Sequence, residues 1–383
     1  MNKNLYLYIL AGVSLFVFSA GSSYLVSGLI KNREIGQSIS TTNQPSPTSD
    51  RSKIDPNLPK NEVCPLNGTK FTKQERDIWE TRRPLAVVVE NHLDSRPTSG
   101  LSTADIVYEA VAEGGITRFM GVYYCAVSAI NETISPVRSA RIYFTQIVPE
   151  YDALYNHVGG AGNCDDPTVD PRAKALCFIR TNKIKDLDQF GLDFKACHRV
   201  TNRLDREVAY EHTMACYTDE LYKVAAKRGW DNWDTKFVSW KFKTDPSTSS
   251  GQDASNIKFD FWPSATDYSV KWQYDLATNS YKRSNGEQLA TDNNTGDQLT
   301  AKNVVVQLVK ETGPVDEHKH MLYEVVGKGK MLLFQDGVAL PGTWSKSSPT
   351  SRTKYVLDSG KEVQFNPGVI WIELVPSANQ ILY

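Results

Sequence analysis

The chain has 383 residues, with 43 Lys+Arg against 44 Asp+Glu and a formal net charge of −1. That leaves no overall field to draw in a phosphate backbone, so no nucleic-acid partner is expected. At 40% hydrophobic and 23% charged, the composition is that of a globular protein, which excludes both a polytopic membrane protein and a disordered chain.

Residues 5–30 (LYLYILAGVSLFVFSAGSSYLVSGLI) contain no charge. At ~1.5 Å per residue such a helix reaches ~39 Å, more than the ~30 Å hydrocarbon core. A single N-terminal span within residues 1–33 is expected, with the body outside the cytoplasm, so the chain is assigned to the cell membrane. A cleaved signal peptide ending at Ser19-Ala20-Gly21 is the competing reading; apolar residues resume after it as Tyr24-Leu25-Val26. Residues 34–62 are rich in Ser, Thr, Pro, Asn and Gln and cannot bury enough surface to offset ordering entropy. They are expected to be a flexible tether.

All six cysteines (Cys64, Cys125, Cys164, Cys177, Cys197, Cys216) follow the span. They are compatible with three disulfides in an oxidising compartment, or with a mixture of bridges and buried thiols. Six cysteines allow 15 pairings, and spacing alone does not choose among them. No C-x₂-C pair exists, so no metal and no cofactor are expected.

Residues 63–243 mix strand and helix signals and predict a mixed α/β domain with a central sheet. Leu85-Ala86-Val87-Val88-Val89 reads as a buried strand ending at Glu90-Asn91-His92, and strand ends often carry function. In ADIVYEAVAEGGITRFMGVYYC, two apolar-alternating runs flank Gly114-Gly115, a hairpin turn signal. A two-residue turn there makes opposed positions sum to 229, so that Val111 faces Arg118 and Glu109 faces Met120. Glu109 and Glu113 then share one face with Arg118. They form either a plain cross-strand ion pair or one wall of a cleft.

Ser135-Pro136 reads as the start of a helix running to about Pro149, with Arg138 and Arg141 in its first turns. Arginines sit poorly at the positive end of a helix, which points to an anionic partner, either internal (Glu109 or Glu113) or a ligand. Residues 152–160 read as a strand running into the turn His157-Gly159-Gly160, placed beside Glu90-Asn91 by a strand–helix–strand crossover. A helix from Thr218 to about Arg228, stopped by Gly229, closes this half.

Residues 244–256 form a second linker. Residues 257–383 show repeated short strands with Gly, Asn and Asp turns, as in Val304-Val305-Val306 and Asp336-Gly337, and predict a mostly β domain, a small sandwich or barrel. His318 and His320 read as a surface hairpin tip. The fold class is therefore α+β, a mixed α/β domain followed by a mostly β domain.

The blocks RPLAVVVENH, RPTSGLSTADIVYEAVAEGGITRF, ISPVRSARIYF and EYDALYNHVGG, followed by DNNTGDQLTAKNVVVQ, GTWSKSS and FNPGVIWIELVP, cover residues 80–383 in order. They resemble the YerB-type family of bacterial extracytoplasmic proteins, a domain of unknown function with an N-terminal and a C-terminal part. The resemblance implies a cell-envelope protein and supplies no reaction and no catalytic residues. Members are often lipoproteins, whereas the first cysteine here is Cys64, so attachment by the helix is expected instead.

The reading that joins these features is a membrane-tethered envelope protein. It would bind an anionic ligand, a cell-wall component or another envelope protein's carboxylate, through Arg118, Arg138, Arg141, Glu90, Asn91, His157, Gly159 and Gly160. An enzyme of cell-wall metabolism using Glu109 or Glu113 with His157 is the alternative, although no G-x-S-x-G, S-x-x-K or H-E-x-x-H motif is present. A structural scaffold without a small-molecule site is the third reading.

Overall fold

The computed structural model describes residues 54–55, 57–233, 237–243 and 251–383. The expected N-terminal span, most of the expected tether and residues 244–250 of the expected linker lie outside the described residues. Among the described residues no helix is long and apolar enough to cross a membrane. Among the described residues the first regular element is the strand Lys60–Val63, which pairs with Lys70–Thr72, so the last residues of the expected tether are already paired.

The fold is α+β, with strands from both halves of the body joined in one eleven-stranded sheet. Its order is Gln252–Asp253, Val338–Lys346, Gly327–Gln335, Asn303–Val309, Ile370–Pro376, Ile106–Glu113, Ile116–Tyr123, Leu85–Glu90, Leu154–His157 and Lys185–Asp188, with Lys354–Leu357 beside Val338–Lys346. Ile370–Pro376 is the seam between the halves, running parallel both to Asn303–Val309 and to Ile106–Glu113. Leu85–Glu90 and Ile370–Pro376 are buried at every position. Such unalternating apolar runs suit strands covered on both faces.

One cover is a second, five-stranded sheet built from Asn256–Phe259, Val270–Asp275, Ser280–Asn285, Gln288–Leu289 and Thr300–Ala301. It packs through Trp272, whose ring lies 5.2 Å from that of Trp371, which in turn meets Phe119 at 5.5 Å. The C-terminal strands thus do not close a separate small barrel. They divide between this sheet and the large one, because Asn303–Val309 finds a parallel partner in the seam strand.

The Gly114-Gly115 turn has positive φ at both residues, 59° and 84°, as a tight hairpin requires. The register differs from the expected one. Tyr108 opposes Met120, Ala110 opposes Arg118 and Val111 opposes Thr117, one residue out of step, and the step is recovered by a bulge between Val111 and Glu113. An extra residue in one strand flips the side chain beyond it to the other face. Glu109 therefore lies on the face of Phe119 and Thr117, while Glu113 lies on the face of Arg118.

The helix expected from Pro136 begins later. Residues 135–140 are extended, and the helix is Ile142–Ile147 with Arg141 at its N-cap, followed by a 3-10 turn over Val148–Tyr151. The extended segment is claimed by the sheet: Glu90 N–H donates to the Pro136 carbonyl, Arg138 N–H to Val88 and Val158 N–H to Arg138. These tertiary hydrogen bonds override the local start signal. Thr218–Lys227 forms the closing helix, with Gly229 at φ 69° just past its end.

All six cysteines pair, as Cys64–Cys125, Cys164–Cys177 and Cys197–Cys216. The last bridge joins directly opposed residues of neighbouring strands.

Candidate functional site

The residues singled out in the sequence fall into four constellations. On one face of the sheet, Glu113 takes both Arg118 Nη2 at 3.1 Å and Arg141 Nη2, and Arg118 Nη1 also donates to the Ser139 carbonyl at 3.1 Å. On the same face, since Glu90 opposes Arg118, Glu90 Oε1 lies 3.0 Å from Arg138 Nε and Oε2 lies 2.7 Å from His212 Nδ1. Burial pushes the guanidinium pKa of all three arginines below its ordinary value. Each of the three is held by a carboxylate of the chain itself.

His157 is fully buried, with Nδ1 2.7 Å from the Gly159 carbonyl and Nε2 2.9 Å from Asp186 Oδ1. Both ring nitrogens are committed to acceptors. Gly159 donates its N–H to Asp188 at 2.9 Å, and a Cβ on Gly160 would sit 2.9 Å from that of Ala140. Gly160 thus serves close packing against the 135–140 segment, whereas a Cβ on Gly159, at φ 55°, would meet the Phe190 ring at 3.3 Å.

The fourth constellation occupies the opposite face. Glu109, fully buried, accepts from Thr117 Oγ1 at 2.6 Å, from Asn91 Nδ2 at 3.3 Å and from Arg283 Nη2 at 2.5 Å. Arg283 Nη1 donates to Glu373 Oε1 at 2.7 Å, and Trp272 Nε1 donates to the same oxygen at 3.0 Å. Arg283, Glu109 and Glu373 are all inaccessible to solvent. Burial first, and the neighbouring Glu109 charge with it, pushes Glu373 well above the usual carboxylate range against the pull of Arg283. Burial thus favours the neutral form of Glu373 beside the Arg283–Glu109 pair.

Asn91 and Asn285 connect this core to the surface. Asn91 Nδ2 donates to Thr117 at 2.7 Å and its Oδ1 accepts from Arg96 Nε at 2.9 Å, while Asn285 Oδ1 accepts from Arg283 at 3.1 Å. Both asparagines line a cleft of about 480 Å³, together with Arg96, Phe119, Arg206 and Gln288. The cleft opens between the loop after Leu85–Glu90 and the Gln288–Leu289 edge of the second sheet.

Three guanidiniums converge on that loop. Arg96 donates through Nη1 to the Asp267 carbonyl at 2.9 Å and packs 4.8 Å over the Tyr268 ring, and its buried Nη2 has no hydrogen-bond partner among the described residues. Arg206 Nη2 donates to the carbonyls of Asp94 and Arg96 at 3.0 and 2.7 Å. Arg203 donates to the carbonyls of Ser95 and Pro97, and burial with the neighbouring Arg206 charge lowers its pKa to about 10. Among the described residues none of the three is paired with a carboxylate. Guanidiniums at a partly desolvated wall, in contact with neutral oxygens rather than carboxylates, can take an anion.

Of the residues grouped from the sequence as one ligand cleft, Asn91 lines this one and the other seven do not; Arg96, Arg203, Arg206 and Asn285 were not among them. Arg96 stands inside the quoted RPTSGLS block, where the adjoining proline marks a structured loop. Arg283 lies 174 residues from Glu109, and no local pattern joins them.

Comparison with known proteins supports one relationship throughout. Residues 68–231 match the model of the N-terminal domain of a protein of unknown function (DUF3048), and residues 257–372 match that of its C-terminal domain. YerB of Bacillus subtilis (strain 168), whose name marks it as a candidate lipoprotein, is 33% identical over 328 residues, which are 84% of this chain and 88% of YerB. The crystal structure of YerB from Bacillus subtilis superimposes with a TM-score of 0.69 at 28% identity, covering 84% of this chain and all of that one. With both domain models matched in order and a relative aligned along most of its length, the chain belongs to the DUF3048 family.

Proposed function

We propose that the protein is a membrane-attached, extracytoplasmic receptor that binds an anionic group in the cleft walled by Arg96 and floored by Asn91 and Asn285. The observation that carries this reading is the contrast between two sets of arginines. Arg118, Arg138 and Arg141 each have an internal carboxylate, whereas among the described residues Arg96, Arg203 and Arg206 have only neutral oxygens, and one Arg96 N–H group has no partner. A buried donor without a partner costs roughly 1–3 kcal/mol, which a bound carboxylate or phosphate would recover. Phe119, Leu289 and Leu299 add apolar lining, so the ligand combines an anionic end with an apolar part.

Attachment to the outer face of the membrane is supported by the uncharged stretch over residues 5–30, by three disulfides, and by the lipoprotein description of the relative. The reading is tested by a thermal-shift screen of the full chain in detergent against inorganic phosphate, small carboxylates and cell-wall peptides. Stabilisation that rises with ligand concentration is expected, since a ligand that binds only the folded state raises apparent stability by mass action. A flat response across all three classes would overturn it.

A further inference from the structure

At the rim of the cleft, the rings of His92 and His212 are stacked with centroids 4.7 Å apart and planes at 18°. Asp94, which lines the cleft, brings Oδ2 to 3.7 Å from His92 Nδ1. One nitrogen from each ring and one Asp94 oxygen lie within 4.8 Å of one another. We infer that His92, Asp94 and His212 form a binding site for a divalent transition-metal ion. This goes beyond the anion reading and does not rest on it, and it departs from the metal-free expectation drawn from the sequence.

Two features separate this cluster from a chance meeting of polar side chains. The first is the support behind His212. Its Nδ1 is held at 2.7 Å by Glu90 Oε2, and Glu90 is itself fixed by Arg138 at 3.0 Å. A carboxylate on one ring nitrogen sets the tautomer and leaves the other nitrogen's lone pair for a metal, which is the usual arrangement behind a ligating histidine.

The second is the division between a rigid and an adjustable part. His212 is buried, whereas the side chains of His92 and Asp94 are 30% and 67% exposed. Bond lengths of 2.0–2.2 Å place tetrahedral ligand atoms about 3.3 Å apart, and a metal lies in the plane of each ligating ring, so the exposed His92 ring must rotate out of its stack on His212 and, with Asp94, close by up to about 1.5 Å onto the fixed imidazole. Asp94 lies in the short 3-10 turn Leu93–Ser95, and its N–H donates to His92 Nδ1 at 3.2 Å. That long contact is the one an ion would replace.

Two imidazoles and one carboxylate are borderline ligands. They suit Zn²⁺, Co²⁺, Ni²⁺ or Cu²⁺ and discriminate against Mg²⁺ and Ca²⁺, which take all-oxygen shells. Three protein ligands also leave a coordination position open, as in metal sites that bind a further ligand.

The test is Zn²⁺ binding to the full chain in detergent, measured by competition with a chromophoric chelator, with Co²⁺ absorption as a second readout. One equivalent per chain is expected, with His92→Ala and Asp94→Asn each weakening binding on the order of tenfold or more and removing the Co²⁺ bands. His318→Ala, at the separate cluster where His320 Nδ1 meets Asp316 at 2.8 Å, is expected to leave affinity unchanged. Because His92→Ala also removes the acceptor of the Asp94 N–H and one ring of the stack, the metal-free melting curve of each variant is recorded beside the titration, and a folded variant that no longer binds separates lost binding from lost folding. No saturable binding below about 100 µM Zn²⁺, or binding that survives His92→Ala and Asp94→Asn, would overturn the inference. Arg96→Gln should leave Zn²⁺ affinity intact, so failure of the anion reading and failure of this one give different results.

Discussion

Glu109 and Glu113 stand four residues apart on one strand and face opposite sides of the sheet, because the bulge between Val111 and Glu113 inserts an unpaired residue. Glu113 thereby becomes the shared partner of Arg118 and Arg141. Glu109 is directed to the buried Arg283 and is lost to the surface. One extra residue thus separates two carboxylates that alternation alone would have placed together.

The buried cluster makes an asymmetric prediction. Burial favours the neutral form of Glu373, so Glu373→Gln, which puts a neutral amide of the same shape there, is expected to cost under about 1 kcal/mol. Glu109→Gln removes the carboxylate that offsets Arg283 in a site without solvent, and a broken buried ion pair costs on the order of 3–5 kcal/mol. Urea denaturation of the two variants checks the order; equal losses would show that the proton is not on Glu373.

Arg118 and Arg141 are structural in this account. Arg118→Ala and Arg141→Ala are each expected to lower stability by roughly 1–3 kcal/mol, since a buried charged group loses its partner, while leaving anion affinity at the cleft within about twofold of wild type. Denaturation and ligand titration on the same preparations decide this, and a loss of affinity without a loss of stability would return these arginines to a binding role.

The three bridges are expected to contribute unequally. Cys64–Cys125 spans 61 residues of sequence, against 13 for Cys164–Cys177 and 19 for Cys197–Cys216. Loop-closure entropy then gives about 4 kcal/mol for the first and about 3 kcal/mol for each of the others. Paired Cys→Ala variants compared by thermal unfolding should show the largest drop for Cys64 and Cys125.

Asp105 lies beside that first bridge, fully buried. It accepts from Asn67 at 2.8 Å, from the Tyr124 N–H at 2.7 Å and from the Cys125 N–H at 3.0 Å. Burial outweighs these donors and pushes its carboxyl up to about 7. An unfolded carboxyl titrates near 3.9, so between roughly pH 4 and 7 the folded state holds a proton that the unfolded state has released. Stability should therefore fall as pH rises through that window and level off above it. Asp105→Asn is expected to flatten the slope while lowering stability throughout, because an amide nitrogen must then face N–H donors. A wild-type slope of opposite sign would mean that the donors win.

Much of the architecture is legible in the sequence. The apolar run Leu85–Val89, the Gly114-Gly115 turn and the Thr218–Lys227 helix all carry local signals that the structure follows. The 135–140 segment is decided by hydrogen bonds to strands distant in sequence, whereas the Val111/Glu113 bulge is local to the hairpin and breaks the plain alternation that a two-residue turn predicts. The sheet that unites both halves depends on Ile370–Pro376 pairing with Ile106–Glu113, a contact between opposite ends of the body that no window of residues reveals. The cleft is equally non-local, since Arg96, Arg206 and Asn285 meet only after both sheets have formed.

The Arg96 guanidinium is the group expected to receive the anion. The most direct measurement is calorimetric titration of wild type and Arg96→Gln with whichever of phosphate, carboxylate or cell-wall peptide stabilises the full chain. Arg96→Gln is expected to weaken binding on the order of tenfold or more, as when a charge-assisted hydrogen bond is lost; because it also removes the contacts to Asn91, the Asp267 carbonyl and Tyr268, affinity is measured at a temperature where the variant is fully folded. Unchanged affinity in Arg96→Gln would contradict this expectation and place the anion elsewhere on the molecule.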